Sequence, residues 1–342
     1  MSNEARTRYI EHLCSEIRSY KKESVSLDTV FFGGGTPSLL TPSEICMLMD
    51  SIEESFSLSD DTEFTVEVNP ATLTEASLDA FISRGANRFS IGLQSIHENE
   101  LKKLGRIHTY EDFLSTYKML RDYGIQNISI DLMFGIPEQT IDTLNKTLDA
   151  IFALDPEHIS AYGLIIEEGT PFFKAKNTLP LPTEDEEREM YFHIAKKLKT
   201  HGYEHYEISN FGKPRRHSRH NLKYWRCEEY IGVGLSAHSY YNGVRAGNSR
   251  DINEYYQGKG RELTHLTYDD TAFEFVMLAL RLSDGFSLDE YKTHFGKDFL
   301  SGREEKLSFY RSGDFLKIND GRLFLTEKGF YVSNTIISDL LL

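Results

Sequence analysis

The residues of this 342-residue chain best suited to chemistry begin at Gly33-Gly34-Gly35-Thr36-Pro37, which follows the apolar, β-favouring run Thr29 to Phe32. Three glycines remove every Cβ, so backbone N–H groups can approach a bound group that side chains would block. Neither a Gly-Lys-Ser/Thr nor a G-x-G-x-x-G spacing is present, which leaves a tight βα turn or a cradle for some other ligand. Long polar side chains close other apolar runs: Glu67 with Asn69, Gln94, Asp131, and Glu207 with Asn210. The stretch Lys213 to Arg226 holds no acidic residue, yet embeds His217, His220, Tyr224 and the only tryptophan, Trp225, among its cations. Such a run is either a solvated loop facing acidic neighbours or a site for a planar, anionic ligand. The second reading uses aromatic surface for stacking, cations for carboxylates and imidazole for a metal. The cysteines Cys14, Cys46 and Cys227 are scattered and make no C-x-x-C pair.

A parallel sheet would bring the polar run-ends together. Apolar residues at helical spacing predict helices over 4–20, 43–56, 74–83, 110–123, 140–154 and 184–200. Strands are expected over 28–32, 63–68, 88–93, 127–134, 158–166 and 203–208. This alternation predicts an α/β fold, a partial (β/α) barrel of the TIM type with ligands at the C-terminal strand ends. Residues 1–211 form that unit, and 212–268 a connector in which Ile231 to His238 is a close-packed or ligand-approaching segment. Residues 269–342 read as a winged-helix-like α+β domain, with Asn319-Asp320-Gly321-Arg322 turning a hairpin between 315–318 and 323–325 and a last helix over 328–340.

A formal net charge of −15 disfavours nucleic acid and anionic membranes as partners. The hydrophobic content, 39%, suffices for a sizeable core, and no run is long enough to span a membrane. The residues after Met1 lack the apolar core of a signal peptide, so a cytoplasmic location is expected.

Phe32-Gly33-Gly34-Gly35-Thr36-Pro37-Ser38, Glu67-Val68-Asn69-Pro70, Ser90 to Ser95, Leu104-Gly105-Arg106-Ile107-His108 and Asp131 to Pro137 occur in one order. That set resembles the radical S-adenosylmethionine (SAM) proteins related to oxygen-independent coproporphyrinogen III oxidase. The resemblance covers nearly the whole chain. His220-Asn221-Leu222-Lys223-Tyr224-Trp225 matches the H-N-x-x-Y-W motif of a heme-chaperone branch of that group. By motif position, the resemblance implies that Gly34, Gly35, Thr36, Glu67, Gln94, Arg106 and Asp131 hold S-adenosylmethionine. It implies that His220 ligates heme iron, with Tyr224 and Trp225 beside the ring and Arg215, Arg216, Arg219, Lys223 and Arg226 toward the propionates. It implies heme transfer to recipient hemoproteins, with peripheral membrane contact at most. The alternatives are an oxidase acting on coproporphyrinogen and a binding module working through the C-terminal domain. The group's C-x-x-x-C-x-x-C motif, which holds a [4Fe–4S] cluster on a first strand upstream of the glycines, is absent from this chain. The first strand is therefore expected to be missing, and little or no cluster is expected to bind.

Overall fold

The computed structural model describes residues 3–21 and 24–342. Helix and strand alternate through α1 Asn3–Ser19, β1 Ser26–Phe32, α2 Pro42–Ser55, β2 Ser57–Val68, α3 Glu75–Ser83 and β3 Arg88–Gln94. Next come α4 Glu98–Lys103, α5 Tyr110–Asp122, β4 Ile128–Phe134, α6 Ile141–Leu154, β5 His158–Gly163, α7 Pro171–Ala175, α8 Glu184–Thr200, β6 Glu204–Glu207 and β7 Asn210–Gly212. Threonine N-caps start many of these helices; Thr41, Thr109, Thr140 and Thr183 each form a reciprocal capping box.

Among the described residues the strands form one sheet in the order β1-β2-β3-β4-β5-β7-β6. Strands β1 to β5 run parallel, and β7 is antiparallel to both its neighbours. This is a curled half-barrel with crossover helices on its outer face. The last strand expected over 203–208 is instead the short pair β6 and β7, because Ile208 leaves the sheet to donate its N–H to Arg281 O (3.0 Å).

Register separates the two faces. Outward, Val30, Phe64, Val66, Phe89, Ile91, Ile128, Ile130 and Ile159 are buried against the helices in one hydrophobic core. Each such side chain contributes roughly 1.5–3 kcal/mol when fully buried. Inward, Thr29 pairs with Glu63, Phe31 with Thr65, Thr65 with Arg88, Glu67 with Ser90, Gly92 with Asp131, Ser129 with His158 and Asp131 with Ser160. The inner face of the half-barrel is therefore polar.

After β7 come α9 Arg219–Trp225, β8 His238–Tyr241, β9 Val244–Gly247, α10 Ile252–Tyr256 and β10 Glu262–His265. The small sheet β10-β9-β8 had no clear signal in the sequence. A Cβ at Gly232 would lie 1.9 Å from His238 O, so this connector is close-packed backbone on backbone. The remainder is α11 Tyr268–Ala279, β11 Phe286–Ser287, α12 Leu288–Phe295, α13 Glu304–Ser312, β12 Leu316–Asn319, β13 Arg322–Leu325, α14 Glu327–Tyr331 and α15 Ser333–Leu341. Helices α11 to α15 and the sheet β11-β13-β12 make the winged-helix-like α+β unit. Its hairpin turns through Asp320 and Gly321, both at positive φ (49° and 72°), as a two-residue turn requires. The final helix divides at Val332. No helix among the described residues is long and apolar enough to cross a membrane.

Candidate functional site

The C-terminal ends of β1 to β3 carry one polar cluster, joined by Asp131, which lies midway along β4 and not at the strand end that the sequence suggested. Gly34 and Gly35 take φ of 66° and 87°, a conformation that glycine adopts without steric cost. A Cβ on either would meet nothing within 4 Å, so the space before them is open, whereas one on Gly33 would strike the Phe31 ring at 2.4 Å. Gly34 donates its N–H to Glu67 Oε2 (3.0 Å), and Asn69 Nδ2 donates to Thr36 Oγ1 (3.1 Å), which ties the glycine loop to the end of β2. Gln94 ends β3 with φ 65°, its amide nitrogen 3.0 Å from where a Gly92 Cβ would stand. Ser90 donates to Asp131 Oδ1 (3.1 Å). Burial holds the Asp131 carboxyl above its usual range, against the pull of Ser160, Ser90, Arg88 and Arg106. Glu67 is likewise raised by burial and by the Asp131 charge, with the Gly34 amide opposing. Gly34, Gly35, Thr36, Glu67, Gln94, Arg106 and Asp131 thus gather at one rim. Glu207 departs from it: fully buried, it lies against the segment after α11, its carboxyl pushed up to about 7 by desolvation.

The second cluster is carried by α9. Ser218 caps it by accepting from Asn221 N (3.3 Å), and Tyr206 OH accepts from Ser218 N (3.2 Å). Glu63, buried on the inner face, accepts from Arg219 N (3.1 Å) and His220 N (3.0 Å) through its two oxygens. Those contacts lay the helix start against the half-barrel. The His220 ring stacks on Phe31 (4.9 Å, 21°), with Nδ1 2.9 Å from Thr29 Oγ1 and Nε2 2.8 Å from Tyr224 OH. Desolvation, with Lys223 and Arg88 nearby, lowers the His220 pKa to about 4, so the ring is neutral at pH 7. Tyr224 stands edge-on to both His220 and Tyr230. Burial, Tyr230 and the Glu67 carboxylate push its phenol up to about 12. Glu67 therefore acts on both clusters.

Trp225 does not join them. Its ring lies 5.9 Å from the Arg281 guanidinium, and its buried Nε1 has no hydrogen-bond partner among the described residues. His217 precedes the helix, pairs with Glu204 (2.9 Å) and stacks on Tyr206, so it does not share a face with His220. Arg219 pairs with Asp28 and Asp61, and Lys223 with Asp28 and Glu228, while Arg215, Arg216 and Arg226 are exposed.

The radical SAM superfamily model matches residues 1–151, and the HemN C-terminal domain model matches residues 266–332. Heme chaperone HemW of Bacillus subtilis (strain 168) is 35% identical over 324 residues, 92% of this chain and 86% of that protein. This chain belongs to the HemW family. HemW of Lactococcus lactis (strain IL1403) is 33% identical over 340 residues, covering 98% of this chain and 89% of that protein. In fold, the HemW-family chain resembles coproporphyrinogen III oxidase (HemN) of Escherichia coli, a radical SAM enzyme, with a TM-score of 0.83 at 22% identity. That likeness covers 98% of this chain and 82% of the oxidase.

The radical SAM superfamily implies S-adenosylmethionine and a [4Fe–4S] cluster. For the first, this HemW-family chain offers open left-handed glycines beside half-buried carboxylates, which fit an ammonium-bearing, polar ligand. For the second, the residues present do not fit. Cys14 is buried with its thiol toward Met47 O (3.5 Å), Cys46 lies on α2, and burial pushes the Cys227 thiol up to about 11. Among the described residues no group of His, Cys, Asp and Glu could hold a metal ion.

Sequence reasoning missed Thr29, Glu63, His158 and Tyr206. Ser160 and Ser129 hydroxyls lie 3.4 Å apart, Ser129 Oγ is 2.7 Å from His158 Nδ1, and His158 Nε2 is 2.8 Å from Tyr206 OH. With Ser160 bonded to Asp131 and Tyr206 to Ser218, a hydrogen-bonded line joins the rim to the cap of α9. A signal existed: polar residues alternate along β2, β4 and β5, at Glu63, Thr65, Glu67, then Ser129, Asp131, then His158, Ser160.

Proposed function

We propose that this chain is a cytosolic heme chaperone that binds heme through His220 and passes it to hemoproteins. The observation that carries the reading is identity of 33–35% to proteins named heme chaperone over nearly the whole chain. The α9 cluster supports it, because a neutral imidazole is the form that ligates iron, and His220 is neutral on a polar inner face. The chain would divide into the half-barrel over 1–211, a heme-binding connector over 212–268 and the C-terminal unit over 269–342. Gly34, Gly35 and Thr36 would receive the amino-acid end of S-adenosylmethionine, Glu67 its ammonium group, and Gln94, Arg106 and Asp131 the rest. When bound, that molecule supplies a sulfonium-linked adenosyl group. The oxidase alternative has the likeness of fold alone in its favour.

The test is a hemin titration of wild type, His220→Ala and Trp225→Ala, followed by transfer to an apo-globin. Wild type and Trp225→Ala should develop the Soret band of a histidine-ligated heme and surrender it to the globin. Unshifted, full-strength binding by His220→Ala would reject the ligand, and a silent wild type would reject the function.

A further inference from the structure

The two nitrogens of His220 have different partners, and chemistry assigns them different duties. A neutral imidazole carries one N–H and one lone pair. Nδ1 faces Thr29 Oγ1 at 2.9 Å and Nε2 faces Tyr224 OH at 2.8 Å. An aliphatic hydroxyl and a phenol compete for the role of donor, and the phenol, far the more acidic, is the better one. Tyr224 therefore donates into the Nε2 lone pair, and Nδ1–H donates to Thr29. Thr29 is buried on β1 and its neighbour Phe31 stacks the ring, so both the tautomer and the plane of the imidazole are set from the sheet. The sole lone pair left for iron is the one that Tyr224 covers.

We propose that Thr29 is a positioning residue that fixes His220 as the Nδ1–H tautomer, and that the Tyr224 phenol is a gate on Nε2 that leaves when heme binds. This rests on His220 as the heme ligand and goes beyond it by naming what controls that ligand. The Tyr224 ring lies four residues from His220 on the same helix and meets Tyr230 edge-on (4.6 Å, 88°). A metal-bound histidine whose other nitrogen donates to an oxygen is a stronger and better oriented ligand. Thr29 gives His220 that second bond before heme arrives.

The experiment is stopped-flow hemin binding, with resonance Raman of the ferrous complex, on wild type, His220→Ala, Tyr224→Phe, Thr29→Val and Thr29→Ser. Tyr224→Phe keeps the ring and removes the hydroxyl. It should give the wild-type Soret spectrum with association faster by roughly five-fold, the worth of one neutral hydrogen bond. Thr29→Val should weaken binding several-fold and lower the iron–histidine stretching frequency, and Thr29→Ser should restore both. A slower Tyr224→Phe, or one with an altered Soret band, would overturn the gate and make the tyrosine a ligand or a packing residue. An unchanged stretch in Thr29→Val would overturn the tautomer. These failures differ from failure of the heme reading, in which wild type and His220→Ala would behave alike.

Discussion

The glycine rim and the α9 cluster are built in opposite ways. The rim belongs to the sheet: Gly34, Glu67 and Gln94 sit at or just past the ends of successive parallel strands, Asp131 faces inward midway along β4, and the pleat brings them to one side. The α9 cluster is imported. A seven-residue helix, itself too short to be stable alone, is laid against the inner face by Glu63, Thr29 and Tyr206. A rim of that kind is as rigid as its sheet, whereas a docked helix can shift when a few bonds change. One arrangement suits a site that holds its ligand, the other a site that must release one.

The comparison breaks most sharply at Glu63. Replacing it with alanine leaves two amide donors of α9 without an acceptor, at roughly 1–3 kcal/mol each. Glu63→Ala should abolish tight hemin binding and lower the melting temperature, while S-adenosylmethionine affinity by calorimetry stays within about two-fold of wild type. Equal loss at both sites would show that the helix and the rim are one unit.

Protonation should act with opposite sign on the α9 cluster and on Glu207, which lies outside the rim. Folding raises Glu207 from 4.5 to about 7, so the folded chain holds more protons. Its contribution to stability is complete below pH 4.5 and is lost as pH rises through 7, by roughly 3–4 kcal/mol at most. His220 is depressed from 6.5 to about 4, so its contribution is complete above pH 6.5 and is lost as pH falls through 4. Denaturant titrations across pH should show Glu207→Gln flattening the alkaline loss and His220→Ala flattening the acid loss. If either substitution leaves its own limb unchanged, that assignment is wrong.

A smaller effect is expected at the rim. Gly34→Ala places a Cβ at φ 66°, which costs about 1–2 kcal/mol even though the space is open. S-adenosylmethionine affinity should fall about ten-fold with hemin binding unaltered; the reverse pattern would exchange the two site assignments. The smallest response is expected from iron and sulfide. Anaerobic reconstitution of the 342-residue chain should yield less than one [4Fe–4S] cluster, and a stoichiometric reduced-cluster paramagnetic signal would contradict the separation of Cys14, Cys46 and Cys227.

The alternation of helices and strands from α1 to β5, the glycine run, the hairpin at Asn319 to Arg322 and the H-N-x-x-Y-W stretch were legible in the sequence. Each is governed by local rules: hydrophobic period, glycine at positive φ, and contiguous motif residues. Tertiary structure alone decided the rest. Thr29 lies 191 residues from the His220 it contacts, and Glu63 lies 157 residues from the amide it caps. No local preference links such positions, because a docked helix chooses its partners by shape and by which buried N–H groups need an acceptor. The same selection turned Trp225 toward Arg281 and left Tyr224 on His220. Adjacent in the chain, they diverge because successive residues on a helix point about 100° apart.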